Sequence, residues 1–99
     1  MSVATVSAHK PRLVFFYSAE SGRCRRVDGF LAQVLQQRKN HDTFQLYRVD
    51  SDQHRELVER FRVERVPTLC VVEGKTVRAR LEEPRGCRDI QRFLAPWLS

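Results

Sequence analysis

Leu13-Val14-Phe15-Phe16-Tyr17-Ser18-Ala19-Glu20-Ser21-Gly22-Arg23-Cys24 sets how the rest of this chain is parsed. Its first five residues are continuously apolar, the pattern of a short strand covered on both faces. Gly22 breaks the run. Val27, Phe30, Leu31, Val34 and Leu35 then recur at the spacing of one helix face, which ends near Arg38-Lys39-Asn40. A strand thus passes through a short polar turn into an amphipathic helix, with Ser21 and Cys24 at the join.

Downstream, Phe44 to Val49 alternates apolar and polar residues and predicts a second strand. Asp50-Ser51-Asp52 offers N-cap candidates for a helix carrying Leu57, Val58 and Phe61. Pro67 biases Val66 away from helix, and the β-branched, apolar Thr68 to Val72 predicts a third strand. Gly74-Lys75 is a tight turn, and Val77 to Leu81 returns antiparallel. Gly86 to Leu98 predicts a closing helix with Ile90, Phe93, Leu94 and Trp97 on its apolar face. Pro96 should weaken or kink its last turn. Residues 1–10 read as a flexible lead-in and residues 11–99 as one domain. The order β-α-β, α, β-β-α predicts an α/β fold: a mixed central sheet of about four strands with helices on both faces.

Composition narrows the function classes. The chain has 99 residues and 41% hydrophobic content, enough for one core without staples. No apolar run is long enough to cross a membrane, and Met1 to Lys10 does not resemble a signal peptide. The expected location is cytoplasmic, where thiols stay reduced. The three cysteines, Cys24, Cys70 and Cys87, are widely spaced and odd in number, against both a disulfide framework and a zinc site. His9, His41 and His54 lie in polar surroundings and read as solvated, so no metal is expected. The net charge of +6 is mostly arginine, since Lys10, Lys39 and Lys75 are the lysines. A basic surface favours acidic partners. It carries no aromatic-interleaved basic stripe of the kind that stacks bases, which disfavours nucleic acid.

Phe16-Tyr17-Ser18-Ala19-Glu20-Ser21-Gly22-Arg23-Cys24, Val49-Asp50-Ser51-Asp52 and Arg65-Val66-Pro67-Thr68-Leu69, in this order of elements, resemble the thioredoxin family. The resemblance runs from about Pro11 to the C-terminus and implies a thioredoxin-like fold with the N-terminal strand and helix reduced. It also implies a cis Val66-Pro67 peptide, facing the Ser21–Cys24 turn and helping to hold a substrate chain.

Four departures from the family pattern bear on chemistry. Ser21 stands where the family has its nucleophilic cysteine, leaving Cys24 as the one candidate thiol of the motif. A hydroxyl without a neighbouring base is a poor nucleophile, so Ser21 reads as an N-cap. Phe15 falls where the family keeps a buried carboxylate, and Leu46 where it keeps the lysine partner. Two hydrophobes there avoid the cost of a lone buried charge. Glu20 replaces a tryptophan, and Glu82 or Glu83 replaces a loop glycine.

Dithiol exchange needs one sulfur to attack and another to resolve the mixed disulfide. With Ser21 in the first place, efficient exchange is not expected. The resulting expectation is a thiol-redox family protein acting as a polypeptide-binding module. Val66, Pro67, Thr68, Arg23 and Arg25 would form the substrate surface, and the partner would be an extended or acidic polypeptide. The alternative is a monothiol redox protein using Cys24 with glutathione as co-substrate. The helix dipole and the arginines flanking Cys24 favour a thiolate there. No other cofactor is implied.

Overall fold

A computed structural model describes residues 10–37 and 42–98 of the chain. The expected lead-in before Lys10, the reduced N-terminal elements, His9, His41 and the cluster Arg38-Lys39-Asn40 lie outside the described residues; the helix expected to end near that cluster ends at Gln36.

Within them, β1 (Arg12–Tyr17) leads into α1 (Gly22–Gln36), and β2 (Gln45–Asp50) into α2 (Arg55–Arg60). The hairpin β3 (Thr68–Glu73) and β4 (Thr76–Glu82) is followed by α3 (Cys87–Leu94). The sheet has the order β2-β1-β3-β4. β1 pairs parallel with β2 in the register Phe15 to Arg48, and antiparallel with β3 in the register Phe16 to Thr68. The parallel pair needs the α1 crossover, and the hairpin turns at Gly74, whose φ of 62° suits a residue without Cβ.

Because side chains alternate along a strand, β1 feeds two cores. Leu13 and Phe15 pack with Leu69 and Val71 beneath Val27, Leu31, Val34 and Leu35 of α1 and Ile90 and Leu94 of α3. Val14 and Phe16 pack on the opposite face with Val49, Cys70 and Val72, covered by Leu57, Val58 and Phe61 from α2 and its C-terminal end. This is a thioredoxin-like α/β fold with helices on both faces of a four-stranded mixed sheet.

The structure corrects several boundaries. Phe44 precedes β2 rather than opening it, but stays buried with its ring against Trp97, centroids 6.3 Å apart. Asp50-Ser51-Asp52 does not cap α2. Asp50 still belongs to β2, its Oδ1 accepts the Asp52 N–H at 2.9 Å, and its carbonyl accepts from Gln53 and His54. The N-cap is His54, which offers no side-chain hydrogen bond. Those aspartates therefore build a turn, the other structure that short polar side chains favour. Phe61 sits at the C-cap of α2 rather than inside it. The guanidinium of Arg80 on β4 closes that end, donating to the carbonyls of Phe61 and Arg62. The last helix ends at Leu94, two residues ahead of Pro96. Trp97 and Leu98 donate back to the Leu94 carbonyl in a turn, so both still pack on the core.

Candidate functional site

The C-terminal end of β1 and the N-terminal end of β3 lie together, because Phe16 is in register with Thr68. The turn into α1 therefore meets the loop ahead of β3 at one end of the sheet. Ser21 is the N-cap of α1, with extended backbone at φ −95° and ψ 120°. Its Oγ accepts the Cys24 N–H at 3.2 Å, and its carbonyl accepts from Arg25 at 3.2 Å. One of the helix's orphan donors is thereby satisfied. The Ser21 hydroxyl thus holds the helix start together.

Cys24 is 2% exposed, and its Sγ accepts the Ser18 N–H at 3.3 Å. The sulfur is packed against the turn that precedes its own helix. A small cavity of about 280 Å³ lies alongside, lined by Phe15, Tyr17, Ser18, Cys24, Arg25 and Asp28 among others. Phe15 is 1% exposed, its ring stacked on Tyr17 with centroids 5.6 Å apart. Leu46 packs against the same core.

Besides Arg25, two charged residues that the sequence pattern does not mark border this cavity, Asp28 and Arg48. Arg48 Nε donates to Asp28 Oδ1 at 2.9 Å, and both side chains are half-exposed. Their positions were legible. Asp28 follows Cys24 by one helical turn, and Arg48 shares the face of β2 with Leu46.

The Val66–Pro67 peptide is cis. Pro67 and Thr68 are buried and Val66 is half-buried. The Thr68 hydroxyl donates to the Arg65 carbonyl and so braces the loop. The Thr68 backbone runs between Phe16 of β1 and Glu82 of β4, and Val66 lies outside the sheet.

Glu83 ties these pieces together. Its N–H donates to the Pro67 carbonyl at 2.8 Å, and its backbone φ of 48° lies in the left-handed region that favours glycine. Its carboxylate accepts from Arg23 of α1, and from Arg65 Nη1 at 3.4 Å. Of the two glutamates considered from sequence, Glu83 is thus the one bordering the loop, while Glu82 remains in β4. Arg65 was missed, although its place two residues ahead of Pro67 was available. Arg23 joins this cluster, whereas Arg25 lines the cavity beside Cys24.

The other sulfurs are elsewhere. Cys70 is fully buried in β3, and burial pushes its thiol above the ordinary value, with Arg80 opposing and Glu82 reinforcing the shift. Cys87 Sγ packs against α1, donating to Gln33 Oε1 at 3.5 Å. Among the described residues no group of three or more His, Cys, Asp or Glu side chains is placed to hold a metal, and no helix is long and apolar enough to cross a membrane.

A parallel β-α-β unit, an antiparallel hairpin and a cis-proline loop at the same end of the sheet as the start of the crossover helix define a thioredoxin-type scaffold. The thioredoxin family model matches residues 2–96, and the chain belongs to the thioredoxin family, whose members are thiol-redox proteins. No curated protein sequence matches it. Among solved structures it is similar to the germline-specific thioredoxin Deadhead from Drosophila melanogaster. That match has a TM-score of 0.77 and 20% identity, over 96% of this chain and 90% of that one. It is similar to Trxlp from Edwardsiella tarda at a TM-score of 0.78 and 20% identity, over 95% and 94% of the two chains. Oxidised thioredoxin O2 from Arabidopsis thaliana matches at a TM-score of 0.76 and 18% identity, over 94% and 79%. At such identities the likeness speaks for the fold.

Proposed function

We propose that this chain is a polypeptide-binding member of the thioredoxin family that does not carry out dithiol–disulfide exchange. The reading rests on one observation: the position of the attacking sulfur holds a serine whose oxygen is the helix cap, with the remaining sulfur buried behind it. A dithiol mechanism requires an exposed thiolate to form the mixed disulfide and a second thiol to resolve it. Ser21 cannot form that disulfide. Phe15 offers no proton-moving group to the sulfur, and Asp28, the carboxylate on the cavity beside Cys24, is paired with Arg48. Burial of Cys24 also favours this reading over a monothiol one with glutathione, because a reactive thiol must be reached by its co-substrate.

What remains is the surface around the motif. Val66 ahead of Pro67 offers backbone for strand addition, a recognition mode in which main-chain hydrogen bonds supply affinity and flanking side chains supply specificity. Arg23 at the start of α1 and Arg25 beside the cavity supply positive charge, which suits an acidic chain. Thr68 contributes indirectly by holding Arg65 and the loop in place.

The test combines insulin-disulfide reduction with alkylation of the native protein, read by mass spectrometry at each cysteine. The expected outcome is no insulin turnover, with Cys24 protected until the protein is unfolded. Peptides selected on the native protein from a displayed random library should bind Cys24→Ala equally well. Insulin reduction at a rate typical of dithiol thioredoxins, or rapid alkylation of native Cys24, would overturn the proposal.

A further inference from the structure

Three separate segments converge on one carboxylate. Arg23 comes from the first turn of α1, Arg65 from the loop ahead of Pro67, and Glu83 from the residue that follows β4. Two guanidinium groups share a single acid, so the cluster keeps a surplus positive charge. Both arginine side chains are mainly solvent-exposed, at 62% and 67%, while the Glu83 side chain is 29% exposed. The acid is therefore the inner member of the cluster and the cations form its outer rim.

Its backbone and side chain are held differently. The Glu83 N–H is bonded to the Pro67 carbonyl, which anchors the root of the residue against the cis-proline loop. The carboxylate is held by exposed ion pairs, which contribute little net stability and are screened by salt. It can leave both arginines while its backbone stays in place. Beside it lies a cavity of about 610 Å³ between α1 and the β4–α3 connection, lined by Arg23, Arg26, Phe30, Glu83, Arg85 and Asp89 among others. That space has room for a displaced side chain or for a residue of an incoming segment.

Resting on the polypeptide-binding reading above, we propose that Glu83 is an internal competitor at this groove. The polypeptide received there presents an Asp or Glu side chain that replaces the Glu83 carboxylate between Arg23 and Arg65. An arginine pair accepts a carboxylate through charge-assisted, directional hydrogen bonds, which a neutral amide of the same shape cannot match. The net charge of +6 aids encounter with such a segment.

The experiment uses an array of random decapeptides with the central position set to Glu, Gln or Lys, probed with the full chain. Wild type is compared with Glu83→Gln and with Arg23→Gln/Arg65→Gln, each first checked for folding by circular dichroism. The expected result is a preference of wild type for Glu-centred peptides. In Glu83→Gln that preference should rise about threefold to fivefold, the size of one exposed ion pair. In the double arginine variant it should vanish. Equal binding of Glu- and Gln-centred peptides to wild type and Glu83→Gln would overturn the competitor role and leave groove binding standing. So would a Glu preference that Glu83→Gln leaves unchanged. Failure of every peptide class on both proteins would remove groove binding itself, and this inference with it.

Discussion

Replacing Ser21 with alanine tests whether that side chain serves as the cap of α1. Its Oγ accepts the Cys24 N–H at 3.2 Å, the long end of ordinary N–H···O bonds. Alanine removes this acceptor and leaves a helix-terminal donor without a side-chain partner. Ser-to-Ala changes at N-caps cost about 0.5–2 kcal/mol, and the bond length argues for the middle of that range, about 1 kcal/mol. For a domain of this size each kcal/mol lowers Tm by roughly 4–8 °C. Urea unfolding followed by circular dichroism should show a lower midpoint with an unchanged m-value. Ser21→Asp is the control. A carboxylate can accept the same N–H, and the first turn of α1 holds no acidic residue to complement the helix dipole. It should therefore match or exceed wild type, by up to about 1 kcal/mol at low salt. Full stability in Ser21→Ala together with a loss in Ser21→Asp would refute the capping role.

Two further outcomes follow from burial. Phe15→Ala should cost about 3–5 kcal/mol in urea unfolding, because the ring is 1% exposed and stacks on Tyr17; a loss under about 1 kcal/mol would contradict the packing. Cys70 has its thiol pKa raised by burial, so the folded state holds the proton after the unfolded chain has released it. Its contribution is full below the unfolded value of about 8.5 and is lost as pH rises through the folded value. The stability gap between wild type and Cys70→Ala should hold steady through neutral pH and narrow above about pH 8.5, by at most about 1.4 kcal/mol per pH unit. A gap that stays constant to higher pH would show that the thiol ionises alike in both states.

The expected functional residues differ in how far local sequence could place them. Ser21 as a cap was legible because capping is a local interaction, spanning Ser21 to Cys24 along the chain. The Asp50-Ser51-Asp52 stretch shows the limit of such reasoning. The same short polar side chains favour caps and turns, and the length of β2 decided for a turn. The reading of Leu98 as helical failed for a related reason. The apolar spacing persists through Trp97, but those residues pack on the core from a turn instead of a helix.

Periodicity, turn residues and the Val66-Pro67-Thr68 element by themselves determined the order of strands and helices, the two-faced burial of β1 and the kinship with thioredoxins. Those properties depend on near neighbours and on the rule that apolar faces must meet, so they can be read along one dimension. Only the tertiary structure decided that the Cys24 sulfur is shut in by the turn before it, and that Glu83 rather than Glu82 borders the cis-proline loop. It alone brought Arg23, Arg65 and Glu83 onto one another, across as many as sixty positions of chain. Such charge clusters depend on which loops the sheet order brings side by side, and no spacing between the residues encodes that.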